Sequence, residues 1–276
     1  MPATPRPPRR QTLDVHDPKR STDVEAAAVA TIWARPERAG RGPKPAHTRD
    51  EITSVAIRIA DDEGIDAVSM RRVAQELGAG TTSLYRYFSK KTELFELMAD
   101  AVVGELPLTA RSGEWSSDLR AVAVRERLQL QRHPWYLTIQ GARPLLGPNN
   151  LRVMDHSLST VEDLGLDIDG MLVMVSTVIA LVHGYVMNEL SDLEATRLMG
   201  RDADEWMEAI GPYAQAIVDS GEYPRVARTM LDAVGPHAPD RAERAFTLGL
   251  DRLLDGLAAS LSGFGGQRPI LPAADD

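Results

Sequence analysis

From residue 47 onward, apolar residues recur at spacings of three and four, and no sustained alternation of period two occurs. Because this spacing places apolar side chains on one face of a helix, the sequence predicts an all-α chain. The chain has no cysteine, which excludes disulfides, thiolate zinc sites and cysteine nucleophiles. Its 276 residues, 43% of them hydrophobic, are enough for a small domain joined to a larger one.

The first helices are short and have clear boundary signals. Thr48 and Glu51 form a capping box that begins a first helix, and Gly64 ends it. Ser69 begins a second helix that ends at Gly78, and a tight turn over 78–80 leads into a third helix over 81–88. We expect Ser89 to cap a fourth helix. Three short helices with a glycine-containing turn between the last two are typical of a helix-turn-helix domain.

Composition divides the chain further. Residues 1–47 are rich in proline and arginine and predict a flexible basic arm with a short helix over 23–34. The predicted domains are a helix-turn-helix DNA-binding domain over 48–92, a larger helical regulatory and dimerisation domain over 93–262, and a loose tail over 263–276. Helices are expected over 115–132, 149–164, 167–190 and onward, 203–219, 224–234 and 240–261, with Pro212 among the prolines that separate them.

Net charge is distributed unevenly. The whole chain carries −9, which by itself argues against a nucleic-acid partner. Residues 1–92, however, hold 16 Lys and Arg against 12 Asp and Glu, a net of +4, whereas residues 93–276 hold 15 against 28, a net of −13. All four lysines lie in the first part. This asymmetry favours a nucleic-acid-binding end on an acidic body.

The predicted third helix has two different faces. Leu84 and Phe88 share one face, suited to packing on the first two helices. Hydroxyl and aromatic side chains, which suit phosphates and base edges, occupy the other face: Thr81, Thr82, Tyr85 and Arg86, with Tyr87 at the edge. Lys90 and Lys91 follow directly. The alternative is a solvated amphipathic helix with an accidental aromatic cluster, and we favour DNA binding.

These residues resemble a known family. Residues 48–96 are similar to the N-terminal domain of the TetR family of bacterial transcriptional regulators, through Glu63-Gly64, residues 67–78 (AVSMRRVAQELG), 83–88 (SLYRYF) and 90–94 (KKTEL). The resemblance implies that residues 81–88 form a recognition helix in the major groove. The implied DNA contacts are Thr48, Arg49, Arg71, Thr81, Thr82, Ser83, Tyr85, Tyr87 and Lys91. Residues 41–44 are a further candidate contact from the arm.

The resemblance also implies a function. We expect a cytoplasmic repressor that binds a palindromic operator in double-stranded DNA as a homodimer and is released by a small-molecule effector. A regulator that is ligand-independent or controlled by a protein partner is the alternative. The implied dimer interface uses small and apolar residues of the last helix, although packing within one subunit would give the same pattern: Ala245, Leu248, Gly249, Arg252, Leu253, Gly256, Leu257 and Ser260.

An effector pocket is expected among the middle helices. Methionines adapt to varied ligands and a lone histidine orients them, although each position also suits a plain core: Trp135, Tyr136, Met154, Met174, Thr177, Val178, Leu181, His183 and Met187. The order of segments in the body is similar to that of the tetracycline-binding members of the family. Pro107 and Ile139 stand where we align the ligand histidines of those members, which argues against a magnesium–tetracycline ligand.

Other classes are excluded by absent signals. The six histidines form no metal-ligand spacing, and no nucleophile motif or phosphate-binding loop occurs, so we expect no enzyme, cofactor or metal. The N-terminus has no apolar segment typical of a secretory signal. Residues 170–188 carry no charge but have acidic flanks, so we interpret them as a helix buried in a bundle rather than a membrane span.

Overall fold

The computed structural model describes residues 32–33, 46–140, 146–199, 203–233, 238 and 240–263. Its secondary structure within these ranges is helical and includes no strand, which confirms the predicted all-α fold of a helix-turn-helix domain joined to a larger helical domain. The arm, its helix over 23–34, the candidate contacts over 41–44 and the tail lie outside the described residues, except for Ile32, Trp33 and the last residues of the arm next to Thr48.

The helix-turn-helix domain begins as predicted. Helices α1 (Arg49–Glu63), α2 (Met70–Glu76) and α3 (Thr81–Leu84) are joined by a 3₁₀ turn over Ile65–Ala67 and by the turn after α2. Thr48 Oγ1 accepts a hydrogen bond from the Glu51 amide at 3.1 Å, and Glu51 Oε2 accepts one from the Thr48 amide at 3.0 Å. Gly64, with φ +88°, ends α1 in a conformation that favours glycine.

The predicted third helix is too long. The α-helical part ends at Leu84, because the amides of Arg86 and Tyr87 donate to carbonyls three residues earlier, those of Ser83 and Leu84, at 3.2 and 2.9 Å. Bonds of this kind tighten the chain into turns instead of continuing the helix. Leu84 and Phe88 are nevertheless both fully buried, as the pattern predicted.

The connecting helix α4 (Lys91–Glu105) also begins differently from the prediction. Its N-cap residue is Lys90, which makes no side-chain cap bond. The Ser89 amide instead donates to Glu93 Oε2 at 2.6 Å, so a carboxylate from the first turn reaches back over the helix start. Helix α4 packs against α1 and against the body.

The body continues with α5 (Trp115–Arg132), α6 (Tyr136–Gln140), α7 (Pro148–Ser159), α8 (Ile168–Met199), α9 (Ala203–Ser220), α10 (Pro224–Asp232) and α11 (Arg241–Gly263). Helix α5 matches its prediction, but α6 was not predicted, and α7 ends before a 3₁₀ turn over Glu162–Leu164. Pro212 lies inside α9 rather than between helices. It is exposed, so water replaces the backbone bond that proline removes.

The body is held together around α8. Helices α5 and α11 both pack against it, with Val178 and Val182 of α8 fully buried. Arg127 of α5 joins the same three helices, because its guanidinium pairs with Glu189 of α8 and Glu243 of α11 and lies over the Phe246 ring.

Candidate DNA-binding surface, effector region and subunit interface

Two buried anchors hold the predicted reading face in place. Leu84 and Phe88 fix the segment to the core, while Tyr85 is 54% exposed. Thr82 and Arg86 are also exposed, and Thr81 and Tyr87 are half-buried. Hydroxyl, aromatic and guanidinium groups are therefore brought to one surface, which suits the phosphates and base edges of a duplex.

Three of the predicted contacts already make hydrogen bonds within the chain. The half-buried Ser83 donates its hydroxyl hydrogen to the Gly80 carbonyl at 2.6 Å. In this state its oxygen only accepts, whereas a phosphate oxygen requires a donor. Thr48 is likewise the capping residue of α1, and the Arg49 guanidinium reaches the Ile32 carbonyl at 3.5 Å.

Exposed cations surround the reading face. Arg71 at the start of α2 is exposed, as are Lys90 and Lys91 at the start of α4. The neighbouring Arg72 instead pairs with Glu63 and Glu76, each at 2.7 Å, and these carboxylates raise its pKa above the usual value. Arg72 therefore stabilises the domain, and Arg71 is left facing solvent.

The residues predicted to bind the effector do not form one site. Trp135 is buried at the boundary with the DNA-binding domain, where Nε1 donates to Asp61 Oδ1 at 2.6 Å. Met174 and Val178 are core residues, Leu181 is half-buried, and His183 lies 3.0 Å from Glu126 Oε1. Met154, Thr177 and Met187 are exposed. The periodicity of the sequence showed which residues share a helix face, but it could not show what each face contacts.

An open groove of about 390 Å³ lies elsewhere in the body, between the segment after α4 and helix α5. Its lining includes Leu106, Pro107, Thr109, Val124, Arg125 and Leu128, and none of the predicted effector residues. Pro107 is the position that we aligned with a ligand histidine of the tetracycline-binding members. The volume lies within the range of small-molecule sites, about 300–1,000 Å³. Arg125 donates to the backbone carbonyls of Val103 and Leu106, and burial lowers its pKa.

Polar contacts join α4 to the end of α5, and through it to α1, and also to the start of α7. His133, just after α5, lies 2.8 Å from Asp61 of α1 through Nδ1 and 3.1 Å from Glu105 of α4 through Nε2. One turn earlier on α4, the buried Asp100 carboxylate accepts from the amides of Asn149 and Asn150 at the start of α7, at 3.2 and 2.9 Å. Displacement of α7 or α5 would therefore act on α4.

Helix α8 exposes an uncharged face. By length and composition the span Ile168–Glu194 qualifies as a membrane-crossing helix, and only 28% of its most apolar window is buried within the chain. The expectation of a helix buried in a bundle therefore holds for one face alone. Apolar, small and neutral residues form the exposed face: Leu172, Val173, Ser176, Thr177, Ala180, Gly184, Met187 and Asn188.

The predicted interface residues of α11 divide into two groups. Ala245, Leu248, Arg252, Gly256 and Ser260 are exposed. Gly249, Leu253 and Leu257 are half-buried, and the two leucines pack on the core of their own chain. A Cβ on Gly249 would lie 2.2 Å from the Tyr185 hydroxyl oxygen, so this glycine allows α11 to approach α8.

A turn between two short helices and an exposed reading face beside lysines define a helix-turn-helix DNA-binding protein. Two family models match the chain: that of the bacterial regulatory proteins of the TetR family over residues 52–98, and that of the tetracyclin repressor-like C-terminal domain over residues 106–261. The chain belongs to the TetR family and is a DNA-binding transcriptional regulator.

Individual relatives cover most of the chain. The HTH-type transcriptional repressor DrrR1 of Streptomyces coeruleorubidus is 38% identical over 235 residues, which are 84% of this chain and 85% of the relative. Apo ActR from Streptomyces coelicolor has a similar structure, with a TM-score of 0.65 and 26% identity over 80% of this chain and 99% of ActR. ActR in complex with actinorhodin gives 0.62 and 25%, over 79% and 98%.

Proposed function

We propose that this chain acts in the cytoplasm as a homodimeric repressor that binds a palindromic operator and is released by a small organic effector. The exposed reading face, which Leu84 and Phe88 anchor to the core, is the observation that carries the proposal. The contact residues proposed above keep that role, with Tyr85 and Thr82 exposed on the reading face itself. The repressor relative DrrR1 and the ActR–actinorhodin complex support the two halves of the proposal.

The dimer would join the uncharged exposed face of α8 to the exposed positions of α11, and to their copies in the partner. Four helices would then bury a surface that one chain leaves in water. A twofold axis of this kind sets two reading faces about 34 Å apart, one turn of the duplex, and matches a palindrome.

Release requires the effector to prefer the form that does not fit the operator. About 5.5 kcal/mol of differential affinity converts a 1:99 population into 99:1. The contacts of α4 with α1 and α7 support a path for this shift, since movement in the body would rotate α4 and change the separation of the reading faces.

A gel-shift experiment with the DNA upstream of the chain's own gene tests the proposal. We expect a single shifted species with two subunits per duplex, bound at least about 10³-fold more tightly than shuffled duplex of equal length, as is typical of specific regulators. Equal affinity for the two duplexes would refute the operator proposal, and one subunit per operator would refute the dimer.

A further inference from the structure

The side chain of Gln129 on α5 is only 1% exposed, and neither its amide oxygen nor its amide nitrogen makes a hydrogen bond of normal geometry, although the Tyr136 hydroxyl is near enough to interact with it. An unpaired buried polar group is destabilising, so the amide makes the unliganded body less stable. Among the described residues, Thr53 of the DNA-binding domain has the other unpaired buried side-chain atom. Unpaired groups of this kind require an explanation, and a ligand is one.

Tyr136 of α6 lies beside Gln129 and is only 2% exposed. Its hydroxyl donates to Asn150 Oδ1 at 3.3 Å and accepts from Gln140 Nε2 at 3.5 Å, both longer than the usual 2.5–3.2 Å or so of protein hydrogen bonds. Burial raises the pKa of Tyr136 and keeps the hydroxyl neutral. The Tyr136 hydroxyl is therefore held weakly and remains a donor.

A line of polar contacts leads from this pair to the connecting helix. Asn150, which accepts from Tyr136, donates to Asp100 Oδ1 of α4 through its amide nitrogen Nδ2 at 2.8 Å and its backbone N–H at 2.9 Å. A ligand that competed for the Tyr136 hydroxyl would therefore disturb the residue that supports α4.

Space for a ligand lies next to Gln129 along α5, in a groove whose lining includes Leu128 but neither Gln129 nor Tyr136. The groove of about 390 Å³ reaches Arg125, one helical turn before Gln129 on α5, and is lined mainly by apolar groups such as Leu106 and Leu128. The Arg125 guanidinium already donates to the Val103 and Leu106 carbonyls. The groove itself also has the polar side chains of Thr109, Ser117 and Arg120, and Gln129 and Tyr136 add neutral groups beyond its lining whose hydrogen bonds are long or absent.

We propose that Gln129 and Tyr136 form the polar recognition site for the effector, which is a mostly apolar molecule with a hydrogen-bond donor beside an acceptor. A primary amide presents an N–H and a C=O in one plane and pairs with such an edge, as in a hydroxyquinone. Binding satisfies the Gln129 amide and draws Tyr136 from Asn150, which loosens the support of α4. This inference rests on the proposed small-molecule release.

The experiment uses the full-length protein and two probes, the hydroxyquinone alizarin and the parent anthraquinone, which has no hydroxyl. Binding is measured by tryptophan fluorescence. We expect the wild type to bind alizarin at least about tenfold more tightly than anthraquinone, because a site built for a hydroxyl leaves its polar groups unpaired without one. No binding of alizarin, or equal binding of the two probes, would overturn the proposed ligand class and with it the proposal.

Two variants test the residues. Gln129→Leu should weaken alizarin binding at least about tenfold and raise Tm, since the unpaired amide is removed. Thr53→Val is the matched control: it also removes an unpaired buried polar atom, so it should raise Tm but bind alizarin like the wild type. Alizarin affinity of Gln129→Leu within about threefold of the wild type would contradict the proposal.

Tyr136→Phe serves as a second, less disruptive change, should Gln129→Leu fail to fold by circular dichroism. It removes one oxygen, and we expect at least about a fivefold loss of alizarin affinity. Wild-type affinity would overturn the proposal here too. Gel shifts without a probe distinguish failure of the recognition site from failure of the proposed function. If the variants bind the operator normally and their alizarin affinity is unchanged, only the recognition site is refuted. If the wild type shows no preference for the operator, the proposed function itself is refuted.

Discussion

Leu84 and Tyr85 are neighbours in the sequence with opposite environments. Leu84 is fully buried against the helix-turn-helix core, whereas Tyr85 is 54% exposed. The first side chain stabilises the domain and the second is available to a duplex. The two roles are therefore separable by substitution at adjacent positions.

Replacement of Tyr85 by Ala should weaken operator binding by about 1–3 kcal/mol, the usual range for loss of one base contact. The free energy of unfolding should change by less than about 0.5 kcal/mol, because the side chain is exposed. Fluorescence anisotropy with operator and with shuffled duplex measures the first quantity, and urea denaturation measures the second.

Leu84→Ala is the control for this prediction. It empties a filled core position and should lower the free energy of unfolding by about 2–5 kcal/mol. If Tyr85→Ala destabilised the protein to a similar extent, Tyr85 would be a core residue and the assignment of the reading face would be wrong.

Single residues also show where sequence reasoning succeeds. Leu84, Phe88 and the capping pair Thr48–Glu51 follow from local spacing, and the structure confirms them. Trp135 does not, because its hydrogen-bond partner Asp61 lies 74 positions earlier in the chain. The sequence did not indicate a special role for Gln129 either, because whether its amide finds a hydrogen-bond partner depends on how α5, α6 and α7 pack.

At the scale of elements, α4 is the helix that packs against both the helix-turn-helix domain and the body. Asp100 stabilises the start of α7 with both carboxylate oxygens, since Oδ1 accepts from the Asn150 amide and Oδ2 from the Asn149 amide. A carboxylate at a helix N-terminus gains from the helix dipole as well as from the bonds.

Asp100→Asn should lower the free energy of unfolding by about 1–3 kcal/mol, because the new NH₂ group faces a backbone donor and the charge is lost. Urea denaturation followed by circular dichroism measures the change. The matched control is Asp155→Asn on the exposed side of α7, which should shift the midpoint little. Equal stability of the two variants would show that Asp100 does not support α7.

Helix boundaries were predictable where the sequence itself sets them. The bounds of α5 and the end of α1 at Gly64 follow from periodicity and from a residue that ends a helix. The length of α3 does not, because the buried Phe88 and the bonds of Ser83 and Leu84 tighten the chain into turns. Helix α6 is too short for periodicity to reveal.

At the scale of the whole molecule, the proposed dimer accounts for apolar surface that one chain leaves exposed. Leu248 of α11 is 49% exposed and Met187 of α8 is 58% exposed. Neither is covered within the described part of the chain, and the charge-free face of α8 continues the same surface.

Leu248→Glu should convert the dimer to monomer in light scattering at micromolar concentration, because an unpaired charge buried in an interface costs about 3 kcal/mol or more. Operator affinity should fall with it, since one subunit reads only half of a palindrome. Leu151→Glu on α7 is the control, at a leucine that is 48% exposed and outside the proposed interface. A monomeric Leu151→Glu, or a dimeric Leu248→Glu, would contradict the interface.

The two buried anchors of the reading face have a consequence for how such regulators diversify. Because Leu84 and Phe88 hold the segment to the core, the three side chains between them, Tyr85 to Tyr87, include exposed ones that we propose face the duplex and that contribute little to folding. The operator that a chain recognises can therefore change by substitutions at these positions, while the body keeps its effector. Natural selection or protein engineering can therefore direct a regulator with the same effector-binding body to a different operator.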